Sequence, residues 1–430
     1  MEPSEKVLYY IWQYRLFNQL NLLTRQGNSL RIKSPGQLNK HAGPDFEHCR
    51  LWINGTEWAG NVEIHLKASD WDMHLHQQDP AYNNVILHVV YEDDKIVTLA
   101  DGTIPETLVL RPLISQALLR NYQELMNNKA WIPCAAQLPR IDSFNVTVWL
   151  ERMVIERLGE KQELVYKLLK AKAHDWEEVT YILLARYFGF KVNALPFENL
   201  ANSLPYKLLL KNRFRPLAIE ALVFGQAGLL VGDFTDTYPK ELQRVYQELR
   251  QQYQLKPIVA SQWRFLRMRP RNFPPLRLAQ FAAWLLTVDH FFAKILAIDH
   301  IQALRDLFCC LPVHVYWADH YTFDKRAPIH HFQLGKIAID GLILNTVVTI
   351  LFSYGKYIGK EAYIYRAIRL LEQLAPEKNS VVSQYKALGV QVKTASDSQA
   401  LLQLKQRYCD EIRCLDCGIG LQLFKLNETL

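Results

Sequence analysis

The chain has 430 residues, of which 49% are hydrophobic and 22% charged, which excludes a disordered, fibrous or collagenous protein and implies a folded one with a large core. The net charge of +7 is unevenly placed: residues 1–110 hold 9 Lys and Arg against 14 Asp and Glu, whereas residues 111–430 hold 41 against 29. An acidic front and a basic back suggest two units, and the basic one points to a polyanionic partner such as DNA or RNA.

Met1-Glu2-Pro3-Ser4-Glu5 lacks the basic and then apolar run of a signal peptide. The seven cysteines do not read as a secreted disulfide framework, so a cytoplasmic location is expected. The longest uncharged apolar stretch, Gly341 to Gly355, is fifteen residues. That is short of the about 18 to 20 needed to span a bilayer, so a buried helix and no membrane are expected.

Val7, Leu8, Ile11 and Tyr14 lie near helical spacing and predict an opening amphipathic helix over Glu5 to Asn18. Short β-rich runs follow: Leu30 to Lys33, Arg50 to Ile53, Glu57 to Ala68, Asn84 to Tyr91, Ile96 to Leu99 and Thr107 to Leu110. Asn54-Gly55 between two of them is a hairpin signal. Ser69 to Asn83 is long enough for a crossover between parallel strands, and Pro80 limits any helix within it. Beyond Arg111, helical periodicity takes over. Helices are predicted over Ala117 to Met126, Val146 to Ala171, Trp176 to Tyr187, Leu217 to Val231, Lys240 to Gln252, Arg277 to Leu296, Leu342 to Phe352 and Glu361 to Leu374. The expected fold is α+β: a mixed α/β domain over 1–110, then a mainly helical basic domain over 111–430, divided into two lobes near Arg269 to Pro275.

Strand alternation places Val62, Ile64 and Leu66 on one face of the Glu57 to Ala68 run and Glu63, His65 and Lys67 on the other. The ordinary account of such a row is a solvated outer face. A second account comes from Asp45, which follows the Gly43-Pro44 turn and leads into the strand that the hairpin pairs with Glu63. Two carboxylates supply hard oxygen ligands for Mg²⁺ or Mn²⁺, and a nearby base orients water or steadies a phosphate, as a metal-dependent phosphodiesterase requires.

His41-Ala42-Gly43-Pro44-Asp45-Phe46, Trp58-Ala59-Gly60-Asn61-Val62-Glu63-Ile64-His65 and Tyr82 to Tyr91 resemble a bacterial family described as domain of unknown function 2851. The resemblance extends to Arg269-Pro270-Arg271-Asn272-Phe273-Pro274 and the C-terminal cysteines. It carries no assigned activity. Residues 5–92 are also similar, more loosely, to the PD-(D/E)XK nucleases, through Pro44-Asp45 followed by Glu63-Ile64-His65. That resemblance implies a restriction-endonuclease-like sheet, metal ligation by Asp45, Glu63 and the Ile64 carbonyl, and His65 standing where the signature has lysine. Lys67, on the same face, is then the residue to supply the missing ammonium, and an altered metal preference or a degenerate site follows from the departure.

Six of the thirteen histidines fall between residues 41 and 88. His74 and His76, with His65 or Asp79, can be read as ligands of Zn²⁺ or Mn²⁺ or as solvated loop residues. His88, in an apolar run, reads as a core histidine bonded to Asp45 or backbone. Further along, Lys256 to Val288 contains Arg264, Arg267, Arg269, Arg271 and Arg277 and no acid, with Trp263, Phe265 and Phe273 interleaved. Arginines grip phosphates and aromatics stack on bases, so this stretch is the expected nucleic-acid contact, set against an ordinary alternation of core and surface. Cys409, Cys414 and Cys417 have the spacing to hold zinc or an iron–sulfur cluster, or are small buried hydrophobes; a fourth ligand such as Cys134, Cys309 or Cys310 would have to come from a distance. The expected function is a metal-dependent nuclease, with a non-catalytic nucleic-acid-binding scaffold as the alternative.

Overall fold

The apolar spacing of Val7, Leu8 and Ile11 winds the opening segment into helix α1, Glu5–Tyr14, with those side chains buried. It stops at Arg15, whose φ of 55° turns the chain left-handed and returns its N–H to the last turn. The structure, a computed structural model, describes residues 3–425. Its contacts divide the chain into two units: the described residues of Met1–Trp149 with Leu404–Leu430, and Leu150–Gln403.

The first unit is built on a mixed sheet of β1 (Leu30–Ser34), β2 (Gln37–Leu38), β3 (Phe46–Ile53), β4 (Thr56–Lys67), β5 (Val85–Glu92) and β6 (Thr107–Val109). The order is β1-β3-β4-β5-β6, with β2 also on β3; β1, β3 and β4 are antiparallel, and β4, β5 and β6 run parallel. Asn54 and Gly55, at φ 50° and 82°, make the tight β3–β4 turn, a conformation these two residues adopt at low cost. A register shift between Phe46 and Cys49 interrupts the β3–β4 ladder. The crossover to β5 is the short helix α2, Asp70–Met73, and two 3₁₀ turns, the second opening on Pro80. Helix α3, Gln116–Asn127, follows the sheet.

The run Ile96 to Leu99 is not a strand. Its apolar residues Val97 and Leu99 pack instead with Trp71, Tyr82 and Val85, and the Trp71 indole donates to the Thr98 carbonyl at 3.1 Å. Burial, not pairing, explains the β-like composition there. The face carrying Glu63 and His65 is not solvated either. Strand β4 is exposed over its first four residues, but from Val62 to His65 it is closed in on both faces, with Glu63 4% and His65 1% exposed.

The second unit is helical apart from a two-stranded ribbon, His320–Thr322 with Lys325–Arg326. Asp175 caps Trp176–Phe188, its carboxylate accepting from the Glu178 N–H at 3.1 Å. The helix predicted over Arg277 to Leu296 is two, Pro274–Thr287 and Phe291–Ala297, broken where His290 turns to φ 44°. The helix predicted to reach Val231 ends at Gln226, because Gly228 adopts φ +73° with its α-carbon so near the Ile258 carbonyl that a β-carbon would stand at 2.3 Å. The apolar stretch around Gly341 belongs to a helical segment, Lys336–Ile358, of 23 residues with a π-helical turn at its centre. It is long and apolar enough to cross a membrane, longer than the sequence stretch suggested, and 67% of its most apolar window is buried inside the protein. The whole is an α+β protein, an N-terminal mixed sheet followed by a mainly helical region.

Candidate functional site

Asp45 and Glu63 are brought together where β3 begins beside β4. The Asp45 N–H donates to Glu63 Oε2 at 2.9 Å, and the Ile64 N–H donates to Asp45 Oδ2 at 3.0 Å, so each carboxylate is held by backbone at the other's position. Burial and the nearby Glu63 charge raise the Asp45 pKa to about 7, against the lowering effect of hydrogen bonds from the Tyr9 hydroxyl and the Ile64 N–H. Burial likewise raises Glu63 to about 7, against the Asp45 N–H and the charge of His74. Two desolvated acids at one point are costly unless a proton or a cation neutralises them.

Around the other oxygen of Glu63 stand the histidines. His76 Nε2 lies 3.2 Å and His65 Nε2 3.6 Å from Glu63 Oε1. His65 Nε2 is 3.2 Å from His74 Nδ1, and one ligand atom from each of His65, His74 and His76 lies within 4.8 Å of the others. His88, paired with Glu63 across the parallel β4–β5 ladder, presents Nε2 to His65 Nδ1 at 2.9 Å. His88 is therefore a core histidine, but its partner is His65 and not Asp45 or backbone. Burial and then the neighbouring His88, His76 and His74 push His65 down to about 2, and burial and His76 push His88 down to about 3. Both rings are neutral at physiological pH, the form that ligates metals.

The three imidazoles converge as ligands of one metal ion would, and the Glu63 carboxylate stands beside two of them, His65 and His76. Two ligands bonded at about 2.0–2.1 Å to one tetrahedral ion stand about 3.3–3.4 Å apart. The His65–His74, His76–Glu63 and His65–Glu63 separations of 3.2, 3.2 and 3.6 Å bracket that value. His76 Nε2 is buried yet out of line for a hydrogen bond with any neighbour, as a nitrogen aimed at a cation would be. A hydrogen bond from His65 Nδ1 to His88 Nε2 would leave the His65 Nε2 lone pair free to ligate, the usual way a second residue selects the tautomer of a ligand. Tyr82 stacks under the His76 ring at 3.8 Å and fixes its plane.

Other residues singled out in the sequence lie elsewhere. Lys67, although on the same face as Glu63 and His65, is exposed at the end of β4 and brings no ammonium to the cluster. His41 is exposed, and exposed Asp79 spends its carboxylate on the Ala81 N–H at 2.9 Å, capping a 3₁₀ turn. Sequence reasoning missed Glu5 and Tyr9, four residues apart on one face of α1. Burial raises Glu5, with His74, Asp70 and His76 as its charged neighbours, and the Tyr9 hydroxyl bonds Asp45. Their i, i+4 polar spacing on an amphipathic helix was the available signal.

In the second unit, Arg264, Arg267, Arg269 and Arg271 are exposed, whereas Arg277 is buried. Trp263 is also buried, its indole donating to the Ala227 carbonyl at 2.8 Å, so it is core and not a stacking platform. Arg269, Arg271 and Arg277 line one cavity with Asn272, Gln280 and His331, and no Asp or Glu lines it among the described residues. Arg277 donates to the Gln280 and Asn272 amide oxygens at 2.9 and 2.7 Å, sits over the Phe190 ring at 4.3 Å, and has a buried Nε without a partner. Burial lowers its pKa to about 10, so it remains a cation in a cavity without a counter-charge.

A mixed-sheet unit with a buried carboxylate and imidazole cluster, next in sequence to a helical basic unit, is what the chain presents. It belongs to the family described as DUF2851, protein of unknown function, whose model matches residues 5–380 and so stops short of the C-terminal cysteines. No curated protein and no solved structure matches it.

Proposed function

We propose that the chain is a divalent-metal-dependent phosphodiesterase that cuts DNA or RNA, with its reaction centre at Asp45, Glu63 and the histidine cluster. The observation that carries this reading is the convergence of His65, His74 and His76 ligand atoms within 4.8 Å beside the buried Glu63 carboxylate. Glu63 and the three imidazoles would hold the ion, and nitrogen donors of that number favour Mn²⁺ or Zn²⁺ over the Mg²⁺ that a carboxylate pair alone would take. A bound ion supplies Lewis acidity and a water of lowered pKa. Asp45, with a pKa near neutrality, would take the proton from that water, with Tyr9 orienting its carboxyl.

The order α1, antiparallel hairpin bearing Asp45 and Glu63, short helical crossover and parallel β5 supports the likeness to PD-(D/E)XK nucleases. The acid-free arginine cavity of the second unit supports a phosphate-bearing substrate. One observation favours a second reading, a non-catalytic nucleic-acid-binding protein: the Lys67 ammonium, which the signature would have near the phosphate, stands out in solvent.

Incubating the purified chain with single- and double-stranded DNA and RNA and Mg²⁺, Mn²⁺ or Zn²⁺ separates the two. Cleavage with Mn²⁺ or Zn²⁺ that falls at least about 100-fold in Asp45→Asn and Glu63→Gln is expected. Binding without cleavage under every metal would select the second reading.

A further inference from the structure

Four cysteines of the first unit converge on one pocket. Cys409, Cys414 and Cys417 come from the C-terminal segment, and Cys134 comes from the turn-rich segment after α3, some 275 positions earlier in the chain (Cys134 against Cys409). Pro133 and Leu125 complete the apolar part of the wall. None of the four is in a disulfide, and Cys414 and Cys417 are 8% and 9% exposed. The distant fourth sulfur that the C-x₄-C-x₂-C spacing lacks is therefore supplied by the fold.

The backbone around them is shaped for thiolate. Cys417 accepts hydrogen bonds from the Ile419 and Gly420 N–H groups. Gly420 lies so close to the Cys414 carbonyl that a β-carbon would stand 2.1 Å from its oxygen, and a β-carbon on Gly418 would stand 2.5 Å from the Trp149 ring. The turn that aims these N–H groups at sulfur has no room for a larger residue. Such N–H to sulfur bonds stabilise thiolates bound to metal and tune the centre they hold. Arg413, the cation in the pocket wall, is engaged by Asp416 at 2.9 Å.

The spacing indicates which kind of metal. In a single-zinc site with bonds of about 2.3 Å the sulfurs stand about 3.8 Å apart. Among the described residues, the three His, Cys, Asp or Glu ligand atoms found within 4.8 Å of one another are those of the histidine cluster, so no three of these sulfurs are that close. Wider separation suits a cluster in which each cysteine binds a different iron.

We propose that Cys134, Cys409, Cys414 and Cys417 are the four thiolate ligands of an iron–sulfur cluster that ties the C-terminal segment to the segment after α3. Each thiol gives up its proton on ligation. The test is elemental. The full chain, produced with iron supplied and purified without oxygen, is assayed for iron, acid-labile sulfide and zinc, with the visible absorbance recorded. Iron and sulfide in equal amounts, about four of each per chain, are expected. Cys134→Ser and Cys417→Ser should each lose most of both, whereas Cys309→Ser, at an exposed cysteine of the second unit, should keep them. Far-ultraviolet circular dichroism, and Cys134→Ala beside Cys134→Ser, separate lost ligation from lost folding. Background iron, stoichiometric zinc in its place, or iron retained in a folded Cys134→Ser protein would overturn the proposal. The outcome is independent of the Asp45 and Glu63 site, because no readout requires catalysis.

Discussion

Glu63→Gln should stabilise the metal-free protein and abolish its stabilisation by metal. Glutamine is nearly isosteric: its amide oxygen can keep the Asp45 N–H bond, and its NH₂ can face the imidazoles that Glu63 Oε1 faces now. A carboxyl raised from 4.5 to about 7 means that the folded metal-free chain holds a proton that the unfolded chain has released. Folding stability from this group is then highest below the unfolded pKa and falls as pH rises through about 7. At about 1.4 kcal/mol per tenfold change, the penalty at pH 8 is on the order of 3 kcal/mol. In chelator at pH 8, Glu63→Gln should therefore melt above wild type, by about 2–4 °C per kcal/mol for a unit of this size. At pH 5 the two should nearly coincide. Adding Mn²⁺ or Zn²⁺ at about 100 times its dissociation constant should raise wild type by about 2.7 kcal/mol and leave the variant unmoved, reversing their order. Scanning fluorimetry across pH 5–8, with chelator and with each metal, reads both effects. An equal metal gain in the two proteins, or a wild type whose metal-free stability rises between pH 5 and pH 8 while the variant's does not, would refute the reasoning.

His74→Ala and His65→Ala should separate ligation from packing. The exposed His74 should cost little stability but at least about tenfold in Mn²⁺ or Zn²⁺ affinity by calorimetry, whereas the 1%-exposed His65 should also cost about 2–4 kcal/mol in urea unfolding. Trp71→Ala removes a fully buried ring that packs edge-on to His65 and His88 and bonds the Thr98 carbonyl. It should cost about 3–5 kcal/mol and loosen metal binding as the crossover shifts. Arg277→Met should leave stability within about 1 kcal/mol, since a desolvated cation is replaced by an apolar chain of similar length, while nucleic-acid affinity falls and its salt slope drops by about one phosphate contact. Asp175→Ala, read by thermal unfolding, should cost about 1 kcal/mol through loss of the Glu178 N–H bond.

What the amino-acid sequence determined by itself is local and periodic. Asn54-Gly55 set the hairpin, because only such residues accept two successive positive φ angles cheaply. Alternation along β4 put Glu63 and His65 on one face, and the length of Ser69 to Asn83 with its Pro80 gave a short helical crossover into parallel β5. The composition of Ile96 to Leu99 misled because β-branched residues bury equally well in a packed loop. Tertiary structure decided everything that depends on residues meeting across the chain. Folding of the crossover placed His74 and His76 against His65, and the seating of α1 beside β4 brought Glu5 and Tyr9 to the same point. It left Lys67 outside, sank Arg277 and Trp263 into the second unit, and delivered Cys134 to the C-terminal cysteines. Backbone preference acts over a few residues, whereas desolvation acts wherever the chain packs, so the burial that raises Asp45 and Glu63 and neutralises the histidines has no counterpart in any short stretch of sequence.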